Sequence, residues 1–131
     1  MKYSENTIPK TPGQLRDAMV FTQTHAGSGV FPDWSGLDFD GAFQRLFRGV
    51  EDLRKRFGNA KADQLVDMLR QAIAHYQAGD RKLGSWLMQD AEEIIYDRQP
   101  FAYPKERYRW PIDPNAPEIT REDLLREAEE E

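Results

Sequence analysis

Cysteine does not occur in the chain, and histidine occurs only twice, at His25 and His75. The first absence removes disulfides, thiolate nucleophiles, Cys-ligated zinc and iron–sulfur clusters from consideration. It also suits a reducing compartment. The scarcity of histidine leaves no His-x3-His or Glu-x-x-His pair of the kind that builds metal centres inside helical bundles. Long apolar runs are missing too, and none approaches the roughly 20 residues that cross a bilayer. The residues after Met1 are polar, without the apolar stretch of a secretory signal. No membrane partner and a cytoplasmic location are therefore expected. Clear period-two alternation is also lacking, so strands are not expected beyond a short one over Tyr108 to Ile112.

Charge is unevenly placed. The 131 residues carry 18 basic and 23 acidic side chains, a net charge of −5. Residues 118–131 alone hold two basic and seven acidic residues. The acidity of the chain thus sits in its tail, and the body is neutral overall. A neutral body argues against non-specific DNA binding, which needs a positive field.

What is present is helical periodicity in a chain of one-domain size. Residues 1–10 are polar and aperiodic and read as a flexible lead-in. Thr11-Pro12-Gly13-Gln14 combines a capping hydroxyl, a proline at the first helical position and a glutamine three residues after the cap. Leu15, Ala18, Met19 and Thr22 continue it as a first helix to about His25. Glycines 27, 29 and 36 with Pro32 interrupt the pattern over residues 26–39. Phe31, Trp34, Leu37 and Phe39 give this long loop the means to pack down. A second helix follows from the stripe Phe43, Leu46, Phe47, Val50, Leu53 and Phe57, with Asp40 as its expected cap and Gly58 as its stop. The charged residues Arg45, Arg48, Glu51, Asp52, Arg54 and Lys55 are assigned to its other faces. A third helix spans about Ala60 to Ala78, on Leu65, Leu69, Ala72, Ile73 and Tyr76. Asp80 caps a fourth, about Arg81 to Arg98, on Leu83, Trp86, Leu87, Ala91, Ile94 and Ile95. The fold class expected is all-α: a four-helix core over 11–98, with a long loop between its first two helices. Five of the eight prolines fall in residues 99–117, which should form an extended C-terminal arm rich in aromatics. Thr120 offers a cap for a short fifth helix in the acidic tail, whose apolar residues a second copy would cover in a homodimer.

Candidate chemistry is sparse. Asp38-Phe39-Asp40-Gly41 has the opening of a calcium loop but lacks its later ligands. Ser28, in Gly27-Ser28-Gly29, has neither the strand nor the spacing of a nucleophile elbow. The glycines precede no Lys-Ser/Thr, so they make no phosphate-binding loop. No cofactor and no catalytic residue are expected. The nearest thing to a metal site is a set of helix-face carboxylates: Asp63 and Asp67 on the third helix, and Asp90, Glu93 and Asp97 beside Glu92 on the fourth. Were those faces to meet, they would hold Mg²⁺ for chemistry on nucleotides or phosphate esters. Otherwise they are solvated faces balanced by Arg81, Lys82 and Arg98.

The segment Tyr103-Pro104-Lys105-Glu106-Arg107-Tyr108-Arg109-Trp110 supports two further readings. Interleaved aromatics and cations would stack single-stranded RNA, although Glu106 and the acidic tail oppose it. Equally, Tyr, Trp and Arg on an extended segment are the residue types of protein interfaces. The function expected is that of a non-enzymatic protein-interaction module, its sharpest form a neutraliser such as an immunity protein or antitoxin. Its contacts would be Trp34, Tyr103, Arg107, Tyr108 and Trp110, with the acidic tail favouring a basic partner.

Overall fold

The computed structural model describes residues 8–110, and every regular element among them is helical. The elements are α1 (Pro12–Ala26), α2 (Phe39–Asp52), α3 (Arg54–Phe57), α4 (Asn59–Gln77) and α5 (Arg81–Ile95), with 3-10 turns at Asp33–Ser35 and Lys105–Arg107. No strand occurs among the described residues, so Tyr108 to Trp110 run as irregular chain. Of the lead-in over residues 1–10, residues 1–7 lie outside the described residues, as do Ile112, the rest of the arm and the acidic tail with its fifth helix; its last part is not loose, since Pro9 is buried and its ring lies 3.2 Å from where a Gly49 Cβ would be.

Local chemistry sets the helix starts. Thr11 Oγ1 accepts the Gln14 N–H at 3.1 Å, and Pro12 takes the first helical position. The Gln14 side chain reaches back to the Lys10 N–H at 2.9 Å, one residue before the cap. α2 begins earlier than the pattern implies. Its cap is Asp38, which accepts the Gly41 N–H at 2.7 Å, and Asp40 lies within the first turn. The long second helix also breaks at Leu53, giving α2 and the single turn α3. Arg54 anchors that turn, bonding Glu51 at 2.7 Å and Asp63 at 2.9 Å. At the end of α4, Gly79 turns left-handed (φ 84°), and the Asp80 N–H closes back on the His75 carbonyl at 2.8 Å. Asp80 then caps α5 through the Leu83 N–H at 3.2 Å.

α4 and α5 pack along their lengths. α5 also packs on α1, α1 on α2, and α2 on α4. The interior holds Leu15, Met19, Phe43, Leu46, Val50, Leu65, Met68, Leu69, Leu87 and Met88, each at most 2 % exposed. Burying aliphatic side chains of this size contributes about 1.5–3 kcal/mol apiece. Gly84 lets α5 approach α4. A Cβ there would lie 3.0 Å from the Tyr76 ring, whose hydroxyl meets Ser85 Oγ at 3.0 Å. A second small cluster (Phe21, Leu37 and Ala42, with Phe31 against it) sits where the 26–38 loop crosses α1 and α2. Four charged residues expected on solvated faces are inside: Arg45, Asp90, Glu92 and Arg98, at 3, 0, 9 and 4 % exposure.

Candidate functional site

The described part of the arm is docked onto α4 and α5. Asp90, near the end of α5, is fully buried. Its Oδ1 accepts the Phe101 and Ala102 N–H groups at 2.9 and 2.8 Å, and its Oδ2 accepts the Tyr103 N–H at 2.9 Å. One carboxylate thus gathers three consecutive backbone donors of a segment that has no helix or strand to use them. Burial raises the Asp90 pKa, against the opposing pull of these three donors, and nearby Glu93 raises it further.

Beyond this clamp the aromatics turn inward. Tyr103 is 4 % exposed, and its hydroxyl shares a 2.8 Å hydrogen bond with His75 Nε2. Tyr108 is half-buried, donates to Met68 Sδ at 3.6 Å, and meets the Tyr103 ring edge-on at 6.1 Å. Burial pushes the Tyr108 hydroxyl pKa up. Trp110 Nε1–H donates to Asp67 Oδ2 at 3.0 Å, and Arg109 bonds the other oxygen at 3.3 Å. Arg107 remains exposed, its guanidinium 5.8 Å from the centre of the Tyr103 ring. Of the contact residues expected in this segment, Tyr103, Tyr108 and Trp110 therefore serve the docking of the arm, and Arg107 alone faces outward. Tyr103 at the interior also takes the central ring away from any base-stacking platform.

The five carboxylates considered for Mg²⁺ do not converge. Asp63 pairs with Arg54 at 2.9 Å, Asp67 with Arg109 and Trp110, Glu93 with Arg98 at 2.6 Å, and Asp97 with Lys61 at 2.8 Å. Asp90 is committed to the arm backbone. Among the described residues no three acidic or histidine side chains gather in a way that could hold a metal ion. Most of these faces are neither a metal cradle nor bare solvated carboxylates: each acid holds a neighbouring element in place.

Glu92, which periodicity treats only as a neighbour of that set, is the unusual acid. It is buried on α5 near Arg16 of α1, and its Oε2 has no hydrogen-bond partner among the described residues. Burial raises its pKa to about 7; Arg16 on α1 pulls it down and Glu93 pushes it up.

α1 and the loop that follows it carry a different surface. Trp34 is 55 % exposed, and Val20 and Val30 are 39 and 70 % exposed. Trp34 belongs to a ring cluster in which Phe21 lies 4.7 Å from His25, 6.1 Å from Phe31 and 5.8 Å from Trp34, with His25 5.7 Å from Phe31; Val20 and Val30 are the chain neighbours of Phe21 and Phe31. A shallow groove of about 300 Å³ runs along α1 here, lined by Asp17, Val20, Phe21, Thr24 and His25. These positions are i, i+3, i+4, i+7 and i+8, one face of a helix. The 3-10 turn at Asp33–Ser35 props Trp34 outward. Ser35 Oγ donates to the Pro32 carbonyl at 2.6 Å, and the left-handed Gly36 closes the turn. Of these residues Trp34 is singled out from the sequence; Val20, Phe21 and His25 beside it go unmarked, because α1 shows only its inward stripe in the spacing of Leu15, Ala18, Met19 and Thr22.

Comparison of the chain with family models, with curated proteins and with solved structures returns no match. Among the described residues no helix is long and apolar enough to cross a membrane.

Proposed function

We propose that the chain is a non-enzymatic protein-interaction module that docks a partner on the α1–loop face, with Trp34 as its anchor. In this reading the helices of residues 11–98 are a scaffold, and the described part of the arm, residues 99–110, is a strap that stiffens it. The carrying observation is that, of the four exposed large apolar residues among the described ones, Trp34 packs against Phe21, Val20 lines the groove with Phe21, and Val30 precedes Phe31 of the same ring cluster. A contiguous apolar patch with an aromatic anchor is the usual signature of a protein contact. The remaining one, Phe101, is 67 % exposed on the arm beside exposed Lys105 and Arg107, and would be a subsidiary contact.

A neutraliser such as an immunity protein or antitoxin is the sharpest form of this proposal, acting in the cytoplasm on a basic partner. The size of the chain, its net charge of −5 and the lack of any gathered catalytic constellation among the described residues favour it. A homodimer built on the tail is the competing arrangement.

The test is affinity capture from the native host's lysate with the full chain and with Trp34→Ala, both first checked for native helicity by circular dichroism. A stoichiometric protein held by the wild type and lost by Trp34→Ala is the expected result. Retention of the same partner by Trp34→Ala would move the contact off this face. Truncating after Arg98 is the wrong tool, because it strips Asp90 of its three donors and Tyr103 from the interior.

A further inference from the structure

The neutral balance of the body hides a local imbalance. Residues 17–44 hold Asp17, Asp33, Asp38 and Asp40 and neither lysine nor arginine. This stretch contains the entire α1–loop face. Asp17 lies in the groove, Asp33 is exposed beside Trp34, and Asp38 and Asp40 follow at the start of α2. Two cations from outside the stretch reach it. Arg16 is 4.0 Å from Asp17, and Arg81 packs under Gly27, its Nε 3.1 Å from where a Cβ would be.

The groove also constrains the shape of what fills it. From Asp17 to His25 it runs for two turns, about 12 Å of helix axis. Its walls are side chains of a helix whose backbone groups are already bonded. Thr24, the one hydroxyl in the groove, donates to the Val20 carbonyl at 2.8 Å. An extended segment laid here would find only the Asp17 and His25 side chains to pair with, and each N–H or C=O group left unpaired beside Val20 and Phe21 would cost roughly 1–3 kcal/mol. A helix brings its backbone already satisfied, and presents apolar residues at the i, i+3, i+4 spacing the groove displays.

Resting on the docking face proposed above, we infer that its occupant is a basic amphipathic helix of another protein. Its apolar stripe lies between Val20, Phe21 and Trp34, and its lysines or arginines meet Asp17 and Asp33. A second copy fits less well, since the same acidic face would meet itself.

The probes that test this are three synthetic peptides: a helical Leu/Lys amphipath, a Leu/Glu version with the same apolar face, and a Leu/Lys version broken by proline. Fluorescence anisotropy of each labelled peptide against the full chain at near-physiological salt gives the affinities. The Leu/Lys helix should bind at least about tenfold more tightly than either alternative. It should lose about tenfold or more on Trp34→Ala or Val20→Ser, and several-fold on Asp17→Asn/Asp33→Asn. Equal binding to wild type, Trp34→Ala and Val20→Ser would overturn the inference, by placing the peptide elsewhere. Equal binding of Leu/Lys and Leu/Glu helices, with Trp34→Ala still disruptive, would overturn the basic chemistry while leaving the docking face standing. Self-association by sedimentation that Val20→Ser abolishes would name a second copy as the occupant instead.

Discussion

Two regions of this molecule are rich in large aromatics, and they use them in opposite ways. On the arm side, Tyr103, Tyr108 and Trp110 have hydroxyl or indole partners at His75, Met68 and Asp67, and a buried carboxylate fixes the backbone between them and α5. On the α1–loop side, His25, Phe31 and Trp34 gather around Phe21, and Trp34 stays more than half exposed. Aromatic content alone does not distinguish a strap from a contact surface. The distinction lies in what the adjoining backbone can bond to. The arm's own 3-10 turn serves only the Arg107 and Tyr108 N–H groups, so those of Phe101, Ala102 and Tyr103 take an internal acceptor at Asp90, and satisfying them draws this stretch inward. The 26–38 loop satisfies itself with a 3-10 turn and serine hydroxyls, leaving Trp34 at the surface.

The largest expected effect breaks the arm side. Asp90→Ala leaves three backbone donors without their acceptor, one of them on buried Tyr103, and should cost about 3 kcal/mol or more in chemical denaturation. Asp90→Asn should cost somewhat less, about 2 kcal/mol, because the amide oxygen still serves one side of the clamp while its NH₂ opposes the other. A change under 0.5 kcal/mol in both would mean the arm is not held by Asp90.

Next comes a pH effect located between the two regions, at Glu92. Burial raises its folded pKa to about 7 from an ordinary value of 4.5. Between those values the folded protein keeps a proton that the unfolded chain has released, so stability falls as pH rises through that window. Below it the contribution is fully present, and above about 7 it is lost, a difference of about 3 kcal/mol as an upper figure. The raised Asp90 acts with the same sign. Glu92→Gln should therefore flatten the melting temperature between pH 5 and 8 and be more stable than the wild type at pH 8. An unchanged pH profile in Glu92→Gln would show that Glu92 does not titrate in this window.

These interior acids also mark the limit of what periodicity conveys. Leu15 through Ile95 fall where the 3.6-residue spacing puts them, because burial of an apolar stripe is what that spacing encodes. Asp90 looked like part of a solvated acidic face with Glu93 and Asp97. Yet it stands seven residues after Leu83, three after Leu87 and four before Ile94, within the apolar stripe of α5. A carboxylate at a stripe position followed by a proline-broken segment short of acceptors was the available signal. Glu92, beside Ala91 and three before Ile95, and Arg45, between Ala42 and Gly49, are the same kind of case. The break between α2 and α3 at Leu53 had no such signal. It depends on Arg54 reaching Asp63 on another helix, which no local pattern contains. The acidity of residues 17–44 was present in the composition but averaged away over the body.

A smaller effect sharpens the reading of Tyr103 as interior. Tyr103→Phe keeps the ring and removes only the 2.8 Å bond to half-buried His75. It should cost about 1 kcal/mol, since water reaches the imidazole left behind. A contact residue would lose affinity on this substitution; a strap residue loses only stability. Denaturation and partner capture on the same variant separate the two roles.

The smallest stability change belongs to the residue on which function is placed. Trp34→Ala removes a side chain that is largely in water at the tip of a turn whose hydrogen bonds come from Ser35 and the backbone of Pro32, Asp33 and Gly36. The Phe21 ring beside it loses one neighbour but keeps His25 and Phe31. The unfolding free energy should therefore shift by about 0.5–1 kcal/mol. If Trp34→Ala instead destabilised the fold by as much as Asp90→Ala, the loop tryptophan would be a second strap. A small stability change with loss of partner capture would make the two regions functionally opposite. A reduced side chain at Trp34 acts on the partner without disturbing the scaffold only because the turn beneath it is complete without the indole.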